Sequence, residues 1–228
     1  MSDYAIGGAQ LELGKRLGKG GEGEVFAIAG DSGRAAKIYA EAHAEARRAK
    51  VEAMVSARLA DQALTVAFPL EAIAGRTGFA GFTMARVTGA EPVHQLYSPG
   101  SRKARFPDAD YRFVVRAALN TARAVAATHA AGCVIGDINH SGILISADAT
   151  ATLIDADSFQ FHDGKNQYLC AVGVPDYTPP ELFGMPLAET ARTPNHDAFG
   201  LAVVLFQLLF VGRHPFAGVA EGGDIPLP

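Results

Sequence analysis

Two aspartates, Asp137 and Asp155, flank a pair of short apolar runs and could do chemistry together. The runs, Ile143–Ser146 and Ala151–Ile154, predict two strands joined by a tight turn. One aspartate precedes the first strand and the other follows the second, so a hairpin would bring both carboxylates to one end of the ribbon. One acid could then orient a nucleophilic hydroxyl while the other binds a divalent metal ion. Aspartate is also common in turns, so two ordinary turn residues are the alternative.

A glycine-rich segment lies near the start of the chain, between two strand-like runs. Gly18, Gly20 and Gly23 are followed by Val25. Glycine lets a backbone approach a phosphate closely, and the backbone amides can then face the anion. The pattern therefore predicts a phosphate-binding loop, although a flexible hairpin tip would look the same.

Lys37 lies inside a short apolar run. A buried lysine is costly unless it meets an anion, so a partner is expected, and an edge-strand lysine facing solvent is the alternative. The next segment, Glu41 to Leu59, is rich in good helix formers and predicts a helix. Glu52 borders the apolar stripe of that helix, which favours an inward-facing position.

The first part of the chain therefore predicts an antiparallel sheet with one inserted helix. Its last two strands are expected at Leu70–Ala74 and Phe79–Val87, and residues 88–90 are interpreted as a hinge. The polar segment Ser98 to Asp110 contains two prolines and a glycine and predicts a surface loop.

A long helix is predicted next, from Tyr111 to Ala131, and Gly132 can end it. Its core-facing stripe is expected at positions of helical spacing: Val115, Leu119, Ala122 and Ala126. His129 continues this stripe and is interpreted as a hydrogen-bonded core histidine rather than a ligand.

The last part of the chain predicts a proline-fixed path followed by a buried helix. Three prolines between residues 173 and 181 exclude a regular helix there, and Glu181 follows the last of them. The strongly apolar segment Ala198 to Phe210 predicts a helix central to its lobe, with Asp197 as its N-cap.

The composition indicates a globular protein. The chain has 228 residues, 49% of them hydrophobic and 19% charged, and a net charge of −4 without a basic block. Nucleic acid or an anionic membrane is therefore not the expected partner. The two cysteines lack the spacing of metal ligands, and the start of the chain lacks signal-peptide features. The sequence also contains no apolar run of membrane length. These features favour a cytoplasmic location.

The order of these features resembles a protein kinase domain over essentially the whole chain. The sequences around Asp137, around Asp155, at Pro179-Pro180-Glu181 and at residues 206–216 resemble, more narrowly, a bacterial group. These are the tellurite-resistance-associated kinases, a kinase-like group whose proteins often contain helix-hairpin-helix segments. The resemblance implies a two-lobed α+β kinase-like fold, with one lobe at residues 1–88 and the other at 89–228. The second lobe would be incomplete, as in a fragment of a longer chain.

The resemblance also implies roles for individual residues. Asp137 would orient the attacking hydroxyl, Lys37 would bind the phosphates of ATP while paired with Glu52, and Asp155 would bind Mg²⁺ or Mn²⁺. The other implied nucleotide contacts are Gly18, Gly20, Gly23, Val25, Ala35, Met84, Val87, Glu91 and Leu144.

Several positions depart from the kinase pattern. Gly136 replaces the arginine that precedes the catalytic aspartate, so a phosphate on the following segment would lack a charge partner and no switch of that kind is expected. Asn139 stands where the family has a catalytic lysine, and Gly142 replaces a metal-binding asparagine. A second metal ion would need Asn139 or Asp157 as a substitute ligand. Val174 replaces a hydroxyl residue that is usual in serine/threonine kinases.

We therefore predict an ATP-dependent serine/threonine protein kinase, with itself among its substrates. The first alternative is a pseudokinase that binds nucleotide and presents a surface to partners. A small-molecule phosphotransferase is a third possibility, which the peptide-positioning Pro-Pro-Glu block disfavours. The resemblance implies a PP2C-type phosphatase and a von Willebrand A-type protein as partners.

Overall fold

The computed structural model describes residues 3–218, which form two compact units. The first unit comprises the chain up to Thr88 together with Asp155–Asp157 and Asp163–Asn166. The second comprises Gly89–Ile154, Ser158–His162 and the chain from Gln167 onward. The ends of the two predicted lobes, residues 1–2 and 219–228, lie outside the described range.

The described part of the first unit is built on a seven-stranded antiparallel sheet. Its strands are Tyr4–Ile6 (β1), Ala9–Leu11 (β2), Leu13–Lys19 (β3), Gly23–Ile28 (β4), Asp31–Tyr39 (β5), Pro69–Gly75 (β6) and Gly78–Ala85 (β7). They lie in the order β2-β1-β6-β7-β5-β4-β3, so β5 is an interior strand between β4 and β7. This confirms the predicted antiparallel sheet.

One long helix packs against this sheet. Helix α1 spans Glu41–Ser56 and contacts β6 and β7, with Val51 and Met54 fully buried. The helix was predicted to continue to Leu59, but Arg58 adopts a left-handed backbone with φ of 52° and ends it. A four-residue helix, Leu59–Gln62 (α2), follows.

The described part of the second unit is mainly helical. Its helices are Val93–Tyr97 (α3), Pro99–Arg105 (α4), Tyr111–Ala130 (α5) and Pro194–Leu209 (α6). Its strands are Ala90–Pro92 (β8), Ile143–Ser146 (β9), Ala151–Leu153 (β10), Phe161–His162 (β11) and Gln167–Tyr168 (β12). Strands β8, β9 and β10 form an antiparallel sheet, in which β9 and β10 are the predicted hairpin.

Two predictions for residues 98–130 are wrong. The segment predicted as a loop, Ser98 to Asp110, contains helix α4, because Pro99 occupies the first turn, where proline is tolerated. In helix α5 the predicted core residues Val115 and Leu119 are 44% and 50% exposed. The buried face is built instead from small residues and valines: Val114, Ala117, Ala118, Thr121, Ala124, Val125 and Thr128.

Helix α6 begins earlier than predicted and has a different cap. Thr193 is the N-cap, and it forms a capping box with His196. Asp197 therefore lies inside the first turn and is buried. Within residues 3–218, no helix combines the length and apolar character needed to cross a bilayer.

Candidate active site

Lys37 lies in the middle of the interior strand β5, opposite Val25 on one side and Phe82 on the other. Its side chain is only 13% exposed. The solvent-facing alternative is therefore wrong, and the amine must find anionic partners inside the first unit.

The partners of Lys37 are two aspartates that follow strand β10. The amine lies 2.8 and 2.9 Å from the two carboxylate oxygens of Asp157 and 3.4 Å from Oδ1 of Asp155. Burial alone would lower the pKa of Lys37, but the charges of Asp157 and Asp155 outweigh it and raise the pKa. The lysine is therefore a protonated, fixed cation.

Tyr39 is the second buried partner of Asp157. Since side chains alternate along a strand, Lys37 and Tyr39 point to the same face of β5. The Tyr39 hydroxyl donates to Oδ2 of Asp157 over 2.7 Å. Burial would raise the pKa of Asp157, but Lys37 and this hydrogen bond lower it overall, so the group is a carboxylate. Burial and the nearby carboxylate raise the pKa of Tyr39, which keeps its proton.

Glu52 does not form the pair with Lys37 that the family resemblance implied. Its carboxylate accepts a hydrogen bond from Nε of Arg48, 2.9 Å away and one turn earlier on helix α1, at an exposed position. The prediction that Glu52 faces inward is therefore corrected, because Val51 and Met54 form the buried face of this part of the helix.

Asp155 has the features expected of a metal ligand. Its backbone is left-handed, with φ of 59°, a conformation that aspartate tolerates better than most residues. Its side chain is 64% exposed, whereas that of Asp157 is 3% exposed and hydrogen-bonded through both oxygens. The described residues contain no group of three or more typical metal ligands. A cation at Asp155 would thus take its other ligands from phosphate oxygens and water, which suits Mg²⁺.

The glycine loop is the hairpin between β3 and β4. Gly20 N donates to the carbonyl of Gly23 over 2.9 Å, which closes the turn. A Cβ on Gly23 would lie 2.3 Å from the carbonyl oxygen of Ile38, so only glycine fits there. Gly18 pairs with Val25 across the hairpin, and its own Cβ position is open. The role of these glycines at phosphate stays a prediction.

The other implied nucleotide contacts are distributed over the two units. Ala35 on β5 is buried and pairs with Met84 on β7. Val87 lies two residues after the end of β7. In the second unit, Leu144 on β9 pairs with Pro92, and Glu91 on β8 lies 3.5 Å from Arg105 in an exposed ion pair.

The loop between helix α5 and strand β9, which the family resemblance implies is the catalytic loop, holds Asp137 and Asn139. Oδ1 of Asp137 accepts a hydrogen bond from Val174 N over 3.1 Å, and Oδ2 accepts none from the described residues. The Asn139 side chain accepts from Ser141 N at 2.8 Å and Gly142 N at 3.3 Å, and donates to the Asp137 carbonyl at 3.1 Å. Asn139 thus shapes the loop, and its carbonyl oxygen is already hydrogen-bonded.

Asp197 on helix α6 holds the backbone of this loop. Its carboxylate accepts hydrogen bonds from Ile135 N at 2.7 Å, Gly136 N at 2.8 Å and Nε2 of His129 at 2.8 Å. These contacts fix the backbone just before Asp137. His129 is hydrogen-bonded, in line with its interpretation as a core histidine.

Arg192 fills the space beside Gly136. Its guanidinium donates to the carbonyls of Gly136, Cys170 and Val172 over 3.3, 2.8 and 3.2 Å. Gly136 has φ of 76°, and a Cβ there would lie 2.6 Å from that of Cys170. The buried arginine therefore ties residues 170–172 to the catalytic loop without a phosphate group.

Three of these residues were missed or left undecided by the sequence analysis. Tyr39 and Arg192 were not singled out, and Asp157 was considered only as a metal ligand. The alternation of β5 could have pointed to Tyr39, since it shares a face with Lys37. No sequence signal identifies Arg192, because its partners are main-chain carbonyls.

Comparisons with known proteins agree on one family. The model of the protein kinase domain matches residues 11–224. Protein kinase YegI of Escherichia coli K12 is 40% identical over 215 residues, which are 93% of this chain and 33% of that protein. The same protein of Escherichia coli O157:H7 is 39% identical over 219 residues, 95% of this chain and 34% of that protein. The chain thus spans about one third of these curated relatives.

A solved structure has the same fold. It is a ROP18 kinase domain in complex with AMP-PNP and sucrose, with a TM-score of 0.66 and 18% sequence identity. The match covers 93% of this chain and 68% of that one. At this identity the likeness shows the kinase-like fold alone.

Proposed function

Because the chain belongs to the protein kinase domain family, we propose that it transfers phosphate from ATP to serine or threonine hydroxyls of proteins, itself included. The observation that carries the proposal is the placement of Lys37. Its amine lies on an interior strand, 3.4 Å from the exposed Asp155 and salt-bridged to the buried Asp157.

Each residue of the proposed mechanism has one task. Lys37, held as a cation, binds phosphate oxygens of ATP, and the glycine loop offers backbone amides to them. Asp155 is the ligand for Mg²⁺, which when bound neutralises phosphate charge. Asp137 uses Oδ2, which accepts no hydrogen bond from the described residues, to accept and orient the substrate hydroxyl. Catalysis then comes from positioning and charge stabilisation.

The catalytic loop supports this assignment for Asp137. Asp197 holds the two preceding backbone amides, and Val174 N fixes one carboxylate oxygen of Asp137. A carboxylate held on one side is preorganised for a hydroxyl on the other.

The experiment is phosphate transfer from radiolabelled ATP with Mg²⁺ or Mn²⁺, followed by phosphoamino-acid analysis. We expect label on serine or threonine of the chain or of a generic substrate, and loss of the label with Asp137→Ala. Equal labelling by wild type and Asp137→Ala would remove Asp137 from the mechanism. Label on tyrosine alone would contradict the proposed specificity.

A pseudokinase is the second candidate, and the Asn139 contacts favour it. The amide oxygen of Asn139 is committed to Ser141 and Gly142, and Gly142 itself lacks a ligand atom. A nucleotide-induced rise in melting temperature without phosphate transfer under either metal would support this candidate.

The proposal extends to partners on the strength of the family resemblance. We propose association with a PP2C-type phosphatase and a von Willebrand A-type protein, as in the tellurite-resistance-associated group. Co-purification of each purified candidate with this chain would test the association, and its absence for both would contradict it.

A further inference from the structure

We infer that Asp157, rather than a glutamate of helix α1, is the residue that positions Lys37 for nucleotide phosphates. The inference rests on the proposed kinase function and adds a positioning residue to it. It replaces the pairing of Lys37 with Glu52 that the family resemblance implied.

The geometry of Asp157 is that of a dedicated partner. Both of its oxygens accept from Lys37, at 2.8 and 2.9 Å, and Oδ2 also accepts from the Tyr39 hydroxyl at 2.7 Å. A carboxylate with three charge-assisted or hydroxyl contacts is held in one position. Asp157 and Tyr39 are buried and the Lys37 side chain is only 13% exposed, so solvent competes little for these hydrogen bonds.

Asp155 and Asp157 differ in their exposure and in their contacts with Lys37. The exposed Asp155 makes one long contact of 3.4 Å with Lys37, whereas the buried Asp157 makes two short ones. One aspartate is therefore directed to the lysine, and the other keeps a solvent-facing carboxylate for a cation. This arrangement also argues against Asp157 as the ligand of a second metal ion.

Packing keeps Glu52 away from this role. Val51 and Met54, which flank Glu52 on helix α1, are fully buried against the sheet. A rotation that turned Glu52 inward would withdraw these apolar side chains from the core. Glu52 is also paired with Arg48 on the exposed side of the helix.

The test compares Asp157→Asn with Glu52→Gln in the full chain. The first readout is the dissociation constant for ADP with Mg²⁺, by calorimetry. The second is the rate at which an amine-reactive ester labels Lys37 in the nucleotide-free protein, by mass spectrometry. We expect Asp157→Asn to weaken binding about tenfold or more and to speed the labelling of Lys37, since a charge-assisted pair is lost. Glu52→Gln should change both by less than about twofold, as expected for an exposed pair.

Two further variants separate positioning from stability. Tyr39→Phe removes the other buried partner of Asp157, so it should lower the melting temperature but keep ADP affinity within about threefold. Glu45→Gln, on the exposed side of helix α1, is the matched control. It should leave both the affinity for ADP and the rate of Lys37 labelling unchanged.

The outcomes distinguish this inference from the proposed function. If Glu52→Gln changed the affinity for ADP and the labelling of Lys37 as much as Asp157→Asn or more, the inference would be overturned. A large effect of Glu52→Gln would overturn it even if Asp157→Asn failed to fold. Equal loss of affinity in Tyr39→Phe and Asp157→Asn would also overturn it. Absence of phosphate transfer by the wild type would contradict the proposed function, while the lysine labelling would still report on the Asp157 pair.

Discussion

Arg47 on helix α1 forms a two-point ion pair with Glu22 at the tip of the glycine loop, with its Nε 2.9 Å from Oε2. Glu22 lies between Gly21 and Gly23, where the backbone has little intrinsic stiffness. The pair therefore connects the glycine loop to helix α1, and both side chains are partly shielded from solvent.

We predict that Arg47→Ala increases the mobility of the glycine loop. Amide hydrogen exchange at residues 20–24 should become faster, and affinity for ATP should fall about threefold to tenfold, because a partly buried pair of this kind contributes about 1 kcal/mol. The control is Arg48→Ala on the exposed side of the same helix. Unchanged exchange in Arg47→Ala would show that the loop is held by its own turn.

Gly81 is predicted to be irreplaceable for the path of strand β5. A Cβ at this position would lie 1.9 Å from the carbonyl oxygen of Lys37. Gly81→Ala should therefore lower the free energy of unfolding by ~2 kcal/mol or more, since neither backbone can move without breaking strand pairing. Urea denaturation measures this change. Gly100→Ala, in helix α4 with no atom near its Cβ position, should cause no loss, and equal effects of the two substitutions would contradict the argument.

Val211 carries unfavourable backbone strain just after helix α6. It is a β-branched residue with φ of 60° and is 54% exposed. Val211→Gly should raise the free energy of unfolding by about 0.5–1 kcal/mol, the relief of strain less the entropy cost of glycine. Val211→Ala keeps a Cβ and should gain less. A lower melting temperature for Val211→Gly would mean that the valine side chain is needed for packing.

The turn of the β9–β10 hairpin is predicted to depend on pH. Hydrogen bonds from the Ser146 hydroxyl at 2.6 Å and Thr150 N at 2.9 Å lower the pKa of Asp148 from 3.8 to about 2. A carboxyl group whose pKa is lower in the folded state stabilises above its unfolded pKa and loses this effect as the pH falls through the folded value. The stability difference between wild type and Asp148→Ala should therefore be constant from pH 7 to 5 and shrink between pH 4 and 2.

The size of this effect is limited by exposure of Asp148 to solvent. We expect the difference at neutral pH to be about 1 kcal/mol or less, because screening reduces exposed interactions. Ser146→Ala, which removes the shortest hydrogen bond, should show part of the same dependence. A difference that grows toward low pH would contradict the sign of the argument.

Sequence patterns predicted the longer strands and the order of the elements, but they missed the short strands β1, β2, β8, β11 and β12. Strand β9 has the predicted bounds. Lys37 pairs with a carboxylate, as predicted from the free-energy cost of burying an unpaired lysine. These predictions succeeded because strand pairing and burial depend on local alternation and apolar runs.

The partner of Lys37 could not be predicted in this way. The family resemblance implied Glu52 as the partner, and Asp157 was considered only as a metal ligand. The packing of Val51 and Met54, which keeps Glu52 on the exposed side of helix α1, cannot be read from spacing along the chain. The face of helix α5 was missed for a related reason. The core stripe was expected to include Val115 and Leu119, but the buried face is formed by alanines, threonines and two other valines, which leaves Val115 and Leu119 exposed.

The contacts of Arg192 have a consequence for how the conformation of residues 170–172 is maintained. A guanidinium that is already hydrogen-bonded to three carbonyls, and packed where a side chain on Gly136 would collide, gives residues 170–172 their path as soon as the chain folds. The path of this segment therefore does not require a phosphate group. We expect treatment of the protein with a phosphatase to leave the conformation of residues 170–172 unchanged.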